Sequence, residues 1–524
     1  MPAEAPVLVV GAGMGGLSAA LMLSARGLPV TVVEAGLAPG GKAGTVTVDG
    51  AAVDAGPTVF TLRKVFDAIF EAAGSRLDDH LRLQPLSILA RHAWPDGSSF
   101  DLLADPAAAL DAVAAFAGPA EARRYAAFCT EAEGLLRLLE GPVMQAERPT
   151  PWGLIRALGP SGLARLSALG PLSSLASVLG RRLHDPRLRQ LFARYATYCG
   201  GSPWQAPATL MLVAQVEREG VWQVEGGMHA LPRAMEALAR ARGVQFLYGD
   251  AVDRIELHDG RASGVQLASG RRLRGAAVVF NGDVRALAEG RLGEAARLAV
   301  PSQPAGRRSL SALVWSARLR TRGFPLVRHN VFFNADYRRE FRDIFGAGRA
   351  PSQATIYVCA QDRDDRGRPP AGDAPERLQV LVNAPPTGDH AGAWGPQEIQ
   401  RCAHLTFARL RAAGLETDGP AEALTLRSPA DFNRLYPGTG GALYGMATHG
   451  WGAIFQRLGA NSRVPGLMLA GGSVHPGPGL PMAALSGCRA AEAVMAHLAS
   501  TRPFRRAATS GGMSMPSATT GATD

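Results

Sequence analysis

Cysteine is scarce and scattered: Cys129, Cys199, Cys359, Cys402 and Cys488 are all the chain has, and no two form a CxxC pair. That spacing argues against a disulfide scaffold or a four-thiolate site, so no metal is expected and a reducing compartment suits the chain best. No run of 18 or more apolar residues occurs, so no ordinary transmembrane helix is expected. The first six residues include Glu4 and no basic run, and the apolar segment behind them meets glycines rather than a cleavage site. No signal peptide is expected. Long basic runs and zinc-finger spacings are absent too. Although 55 Lys and Arg face 45 Asp and Glu, a net charge of +10, they are dispersed, and nucleic acid is not expected as a partner.

What is present is the composition of a folded protein, 47% hydrophobic and 19% charged. At 524 residues the chain exceeds the ~250–300 residues at which single cores stop growing, so two or three interleaved domains are expected. The 62 Gly and 37 Pro imply many turns and close backbone approaches.

The N-terminal pattern is the most informative. Residues 7–10 form a β-rich run, 11–16 a tight loop, 17–26 a helical pattern and 29–33 a second strand. Gly11-Ala12-Gly13-Met14-Gly15-Gly16 matches GxGxxG in the strand, loop and helix context that gives the motif meaning. Gly11 permits the turn, Gly13 lets a pyrophosphate approach the backbone, and Gly16 lets helix and strand pack closely. The helix N-terminus offers unpaired N–H groups to the phosphates. Glu34 ends the second strand, where its carboxylate accepts both ribose hydroxyls and disfavours NADP. The fingerprint alone does not choose between NAD and FAD. The loop Pro39-Gly40-Gly41-Lys42-Ala43-Gly44 favours FAD, since an extended cofactor can run past it. Lys42 stands beside phosphates or protein carboxylates, or is a solvated loop lysine; the pattern leaves both open.

Further along, residues 45–48 and the Asp49-Gly50 turn read as a hairpin ending in Val53-Asp54-Ala55-Gly56-Pro57. Residues 62–215 read as mostly helical, 228–242 as a helix, and 244–247 as a buried strand. Glu225-Gly226-Gly227 before that helix suits a phosphate, the flavin edge or a plain cap. Residues 255–258, 262–267 and 276–280 read as successive strands returning to the cofactor domain, while 310–315 and 355–359 alternate with a helix near 397–413 in another sheet. The last buried strand is 467–470, followed by a glycine-rich loop and a helix over 482–498. Beyond Arg506 a Ser/Thr/Gly/Met-rich tail is expected to be disordered.

Five stretches carry a resemblance that spans most of the chain: VLVVGAGMGGLSAALMLSARGLPVTVVEA at 7–35, PGGKAG at 39–44, DAGPTVF at 54–60, VEGGMHALPRAMEALA at 224–239 and GGSVHPGPGLPMAALSG at 471–487. They resemble the flavin-dependent carotenoid desaturases related to bacterial phytoene desaturase. That resemblance implies FAD as cofactor, with Gly11, Gly13, Gly16, Glu34, Gly41, Lys42 and Gly56 as neighbours. It places Gly472, Gly479, Leu480, Pro481 and Met482 near the isoalloxazine, and His475 close by. RHNVFFNADYRREFRDIF at 328–345 and Val221-Trp222-Gln223-Val224 are similar to the hydroxycarotenoid 3,4-desaturase branch, also called methoxyneurosporene dehydrogenases, of purple photosynthetic bacteria. This branch implies a C-3,4 double bond introduced into 1-hydroxy- or 1-methoxycarotenoids of the neurosporene or lycopene type, in spheroidene or spirilloxanthin biosynthesis. The alternatives are a phytoene desaturase, a flavin amine oxidase, and a non-catalytic flavoprotein; an aromatic pair facing the flavin would favour the amine oxidase.

The fold class expected is therefore α/β: a Rossmann-like FAD-binding domain assembled from residues 1–62, 221–300 and 463–500. A helical, membrane-facing region covers 63–220, a mixed-sheet substrate domain 301–462 and a tail 501–524. Desaturation removes two electrons and two protons, and a flavin takes hydride equivalents that no side chain can hold. For the proton, Asp54, Glu225, Asp336 and His449 are candidates. Each also has a structural reading: a turn cap, a backbone-amide ligand, a partner for Arg338 or Arg339, and an interdomain filler. No catalytic residue is assigned. His329, Asn330, Asn334 and Asp336 are expected to contact the substrate's terminal oxygen, or to cap strands and bind each other. Residues 152–194 hold seven arginines and a single acid, Asp185. They read as a surface for anionic lipid on the cytoplasmic face of the inner or photosynthetic membrane, or as a helical core hairpin whose arginines face water. Oxygen or a quinone is the electron acceptor considered; the oligomeric state is open.

Overall fold

The computed structural model describes residues 5–501 except 171, 371–373 and 420–423; the expected tail lies outside the described residues. Val7–Val10 is buried along its whole length, the mark of a strand covered on both faces of a parallel sheet. It is the middle of five parallel strands in the order Leu467–Leu469, Ala277–Phe280, Val7–Val10, Val30–Glu34 and Gln245–Tyr248. Helix Met14–Ser24 makes the crossover from the first strand to Val30–Glu34. The sheet thus draws on both ends and the middle of the chain. Its order reverses between Val7–Val10 and Ala277–Phe280, and open α/β sheets bind ligands at the carboxyl ends of the strands beside such a reversal.

A second sheet of seven strands runs Thr425–Arg427, Ser311–Leu319, Glu376–Ala384, Ile356–Ala360, His329–Phe332, Ile88–Ala93 and Ser99–Leu103. Its pairs are antiparallel except His329–Phe332 with Ile88–Ala93. Helices Pro119–Leu139, Pro151–Leu169, Leu175–Arg182 and Pro186–Ala193 lie in the region between 106 and 220. Three of the helices there begin with proline behind an oxygen-bearing cap: Asp105 accepts from the Ala108 N–H, Thr150 from Gly153 and Asp185 from Arg187. Pro151–Leu169 is two helical pieces that meet at a kink at Gly159-Pro160. Among the described residues no helix is long and apolar enough to cross a membrane.

Four expectations need correction. The span read as helical contains Ile88–Ala93 and Ser99–Leu103, a hairpin turned by Trp94-Pro95-Asp96-Gly97 and built into the seven-stranded sheet. Residues 252–274 do not return to the parallel sheet. Val252–His258, Arg261–Leu267 and Arg272–Arg274 form an antiparallel sheet of their own, and only Ala277–Phe280 rejoins. The burial patterns explain this: the three mix exposed with covered positions, as strands covered on one side do, whereas Ala277–Phe280 is buried throughout. Gln245–Tyr248 is an edge strand, half-buried rather than buried. The first and last helices begin earlier than expected, at Met14 and Leu480, because Gly15 and Gly16, and likewise Pro481, fit a first helical turn.

Candidate functional site

The glycines of the first loop are set by contact distances. Gly11 has φ +99° and donates its N–H to Val33 O at 2.7 Å. A Cβ on Gly16 would lie 2.0 Å from Gly11 O, so only glycine lets this helix start against the strand. A Cβ on Gly13 would lie 2.9 Å from Asn281 Nδ2, whose amide donates to Gly11 O at 3.1 Å. The loop is thereby fastened to the end of Ala277–Phe280. Glu34 accepts the Ala12 N–H at 2.7 Å through one oxygen and the Gly36 N–H at 2.8 Å through the other. Each oxygen keeps a lone pair for a further donor.

The second loop closes on the first. Gly40 donates to Ala12 O at 2.8 Å, and a Cβ on Gly41 would stand 3.3 Å from Gly13 Cα. A Cβ on Gly56 would be 1.8 Å from Lys42 O, so this glycine allows the hairpin to press on the loop. Lys42 is not a solvated lysine: its Nζ donates to Leu443 O at 2.7 Å and lies 5.4 Å from the Tyr436 ring centroid. Burial lowers its pKa against the opposing pull of Asp283. On the C-terminal side, Gly471 donates to Ser486 Oγ at 2.7 Å, and the buried Arg457 donates to the carbonyls of Gly472, Tyr444 and Met446. Leu480, Pro481 and Met482 form the first turn of the last helix.

These pieces enclose one cavity of about 1180 Å³. Gly11, Gly13, Glu34, Gly41, Lys42, Gly56, Gly472, Gly479, Leu480, Pro481 and Met482 all line it. Gly16 does not; it serves the packing beneath. Away from the glycine loops the walls are apolar, with Leu139, Val143, Leu154, Ile155, Leu166, Leu212, Val213 and Val216 among them.

None of the residues considered for proton transfer lines this cavity. Asp54 accepts the N–H groups of Met228 and His229 at 2.7 and 3.2 Å and so holds the start of helix Ala230–Ala241. Glu225 is exposed and 4.0 Å from Arg82, which corrects the placement of Glu225-Gly226-Gly227 beside a phosphate or the flavin. Asp336 caps Tyr337–Phe341 at the surface. His449 Nε2 accepts the Ser202 N–H at 2.9 Å. His475 is buried outside the cavity, with Pro476 rather than the imidazole at its wall. The residues expected to meet a terminal oxygen mostly serve structure as well. Asn330 bonds Val327 and Val358, and Asn334 bonds Glu340 and Gln353. His329 is buried, and its Nδ1 meets Tyr357 Oη at 2.7 Å.

Sequence reasoning missed Asn281 and Arg457, and it missed a polar cluster in the cavity wall. Arg194 Nη1 donates to Tyr198 Oη at 3.0 Å, while Tyr198 and Tyr195 donate to the two Glu217 oxygens at 2.7 and 2.6 Å. Burial pushes the Glu217 carboxyl up, opposed by the two hydroxyls and Arg194. Burial works against the Arg194 charge, yet Tyr198 and Glu217 hold its pKa above the ordinary value. The signals available were an acid, Glu217, directly behind the mostly apolar run 208–216, and an Arg with a Tyr four residues on, Arg194 and Tyr198.

The family profile described as flavin containing amine oxidoreductase matches residues 14–495. A solved oxidoreductase from Methanosarcina mazei superposes with a TM-score of 0.59 at 16% identity, covering 93% of this chain and 100% of its own, a likeness of fold alone. Fold and site together define an FAD-dependent oxidoreductase. The chain is 56% identical over 516 residues to a hydroxyneurosporene desaturase of Rubrivivax gelatinosus, covering 98% of both. It is 48% identical over 497 residues to that of Cereibacter sphaeroides, covering 94% of this chain and 98% of the relative. The chain belongs to the flavin-dependent carotenoid desaturases of that family.

The glycine contacts predict that Gly13→Leu, folded but with its side chain in the pyrophosphate path, loses FAD binding. Flavin content after purification with excess FAD checks it, and full occupancy would contradict the site. The histidines predict a pH dependence. Burial pushes His449 and His475 down to about 4 from 6.5, so both stay neutral in the folded protein at neutral pH. The unfolded chain binds these protons more readily, so stability is complete above about pH 6.5 and is lost as pH falls toward about 4. Thermal midpoints over that range should fall, and His449→Gln, which keeps an acceptor for Ser202, should flatten part of the decline.

Proposed function

We propose that this chain removes hydrogen across the C-3,4 bond of acyclic 1-hydroxy- or 1-methoxycarotenoids of the neurosporene or lycopene type. The observation that carries the reading is that the dinucleotide cradle and a long apolar chamber are one continuous cavity. An apolar chain can therefore lie against a flavin along mostly apolar walls. The names of the relatives in Rubrivivax and Cereibacter point to the same substrate class.

In this reading the parallel sheet is a Rossmann-like half, assembled from 1–62, 221–300 and 463–500. Residues 301–462 with the 88–103 hairpin form the substrate domain. Glu34 takes the ribose hydroxyls, Gly11, Gly13 and the helix N-terminus take the pyrophosphate, and Gly41, Lys42 and Gly56 flank the cofactor's path. Gly472 and Gly479 to Met482 border the isoalloxazine. Bound there, FAD supplies a two-electron acceptor for hydride equivalents. The protein's own part is to orient the polyene and keep the chamber dry.

The cavity wall continues into an exposed apolar rim. Pro151, Leu154, Ile155 and Trp451 line the cavity, while Trp152 is 81% exposed, Leu172 83% and Trp451 53%. Of the seven arginines in 152–194, Arg194 is turned inward and Arg182 and Arg187 pair with Glu131 and Asp185. Arg156 is exposed on the same helical piece as Trp152, and Arg165 is exposed beyond the kink. An apolar rim with nearby cations suits peripheral contact with anionic lipid, where the substrate dissolves.

Parallel assays with 1-hydroxyneurosporene and phytoene, followed by product absorption and mass, test the activity. Faster loss of two hydrogens from the hydroxylated carotenoid is expected; faster turnover of phytoene would make the chain a phytoene desaturase instead. Sedimentation with anionic liposomes tests the rim: binding at low salt that high salt weakens is expected, and no binding at low salt would remove the membrane contact.

A further inference from the structure

In a 1-hydroxycarotenoid only the methylene C2 separates the oxygen-bearing carbon from the C-3,4 bond. Whatever holds that oxygen therefore stands beside the reacting carbons, on the flavin side of the chamber rather than at its far end. The Arg194 cluster meets this condition. Thr58 Oγ1 is 2.6 Å from Tyr357 Oη, and Thr58 follows Gly56 by two residues, the glycine pressed on Lys42 of the cofactor loop. The Arg194 guanidinium carbon lies 5.3 Å from the Tyr357 ring centroid and 5.2 Å from that of Tyr198. Arg194, Tyr198, Tyr357 and Thr58 all line the cavity.

Arg194 also has donors to spare. Among the described residues, its only side-chain hydrogen bond is from Nη1 to Tyr198 Oη. Its Nε and Nη2 are not among the sealed, unpartnered side-chain atoms of the interior, and Arg194 is one of the residues that line the cavity. Both Glu217 oxygens already accept tyrosine hydroxyls, so the carboxylate balances the charge through Tyr198 and keeps the arginine from swinging.

Resting on the function proposed above, we propose that Arg194 recognises the terminal oxygen of the substrate, with Tyr198 and Glu217 as its positioning residues. The free N–H groups donate to that oxygen. A hydroxyl oxygen and an ether oxygen both accept such a bond, so the site takes a 1-hydroxy or a 1-methoxy end. A plain hydrocarbon end instead displaces water from a charged donor and leaves it unpaired, and that penalty rejects it more strongly than any fit of methyl groups along an apolar wall.

The test is kcat/KM for 1-hydroxyneurosporene, 1-methoxyneurosporene and neurosporene, in the FAD-loaded wild type and in Arg194→Met. The wild type should prefer either oxygenated substrate by about tenfold or more, and Arg194→Met should lower that ratio by about tenfold. Tyr198→Phe, which removes one hydroxyl, should lower it less; it decides the matter if Arg194→Met does not fold. Flavin content and thermal midpoint report folding. A wild type without preference for oxygenated ends would overturn the proposed function. A wild-type preference kept intact in folded Arg194→Met, or failing that in Tyr198→Phe, would overturn the role of Arg194 alone.

Discussion

The close approach of backbones around Gly11 to Gly16 is the constraint on which the rest of the molecule depends. Here the first strand turns into the first helix, and the chain's middle and C-terminal parts come in over the same few atoms. Asn281 reaches Gly11 O from the middle segment, and a Cβ on Gly487 would lie 2.0 Å from Gly15 O, so the last helix rests directly on the first. Such contacts tolerate no added methyl group, and steric conflict in a packed interior costs about 1–3 kcal/mol. The cofactor cradle is therefore the place where three distant segments must agree before the fold closes.

From that cradle the second constraint follows. A flavin and a polyene must share a space from which water is kept out, yet the space cannot be wholly apolar if it is to tell one end of a long hydrocarbon from another. The structure answers with apolar walls over most of the cavity and, among its few polar groups, an arginine tethered to Tyr198. A lone buried charge would be costly, and here Glu217 offsets it through the Tyr198 hydroxyl rather than by direct ion pairing.

Much of the cradle was legible because glycine spacing and the acid at Glu34 are local signals that follow from backbone geometry. The five parallel strands likewise announced themselves as short apolar runs. The hairpin at 88–103 did not, since Ile88–Ala93 is buried on both faces and shows no alternation, although Pro95-Asp96-Gly97 marked its turn. Asp54 was read as a candidate for chemistry or a turn cap, and its carboxylate holds the Met228 and His229 N–H groups just ahead of helix Ala230–Ala241, since a partner 174 residues away cannot be read from its neighbours. Arg194 and Glu217 were missed for the same reason: each looks like an ordinary helix charge until the fold turns both inward.

The central claim is that cofactor and carotenoid meet in one cavity and exchange electrons there. The most direct measurement is a single turnover without oxygen, mixing FAD-loaded protein with 1-hydroxyneurosporene in lipid and following the visible flavin band together with the carotenoid spectrum. Loss of the flavin band in step with one newly conjugated double bond per chain is the predicted result. Carotenoid conversion with the flavin band unchanged, or a flavin that never responds to the substrate, would contradict it.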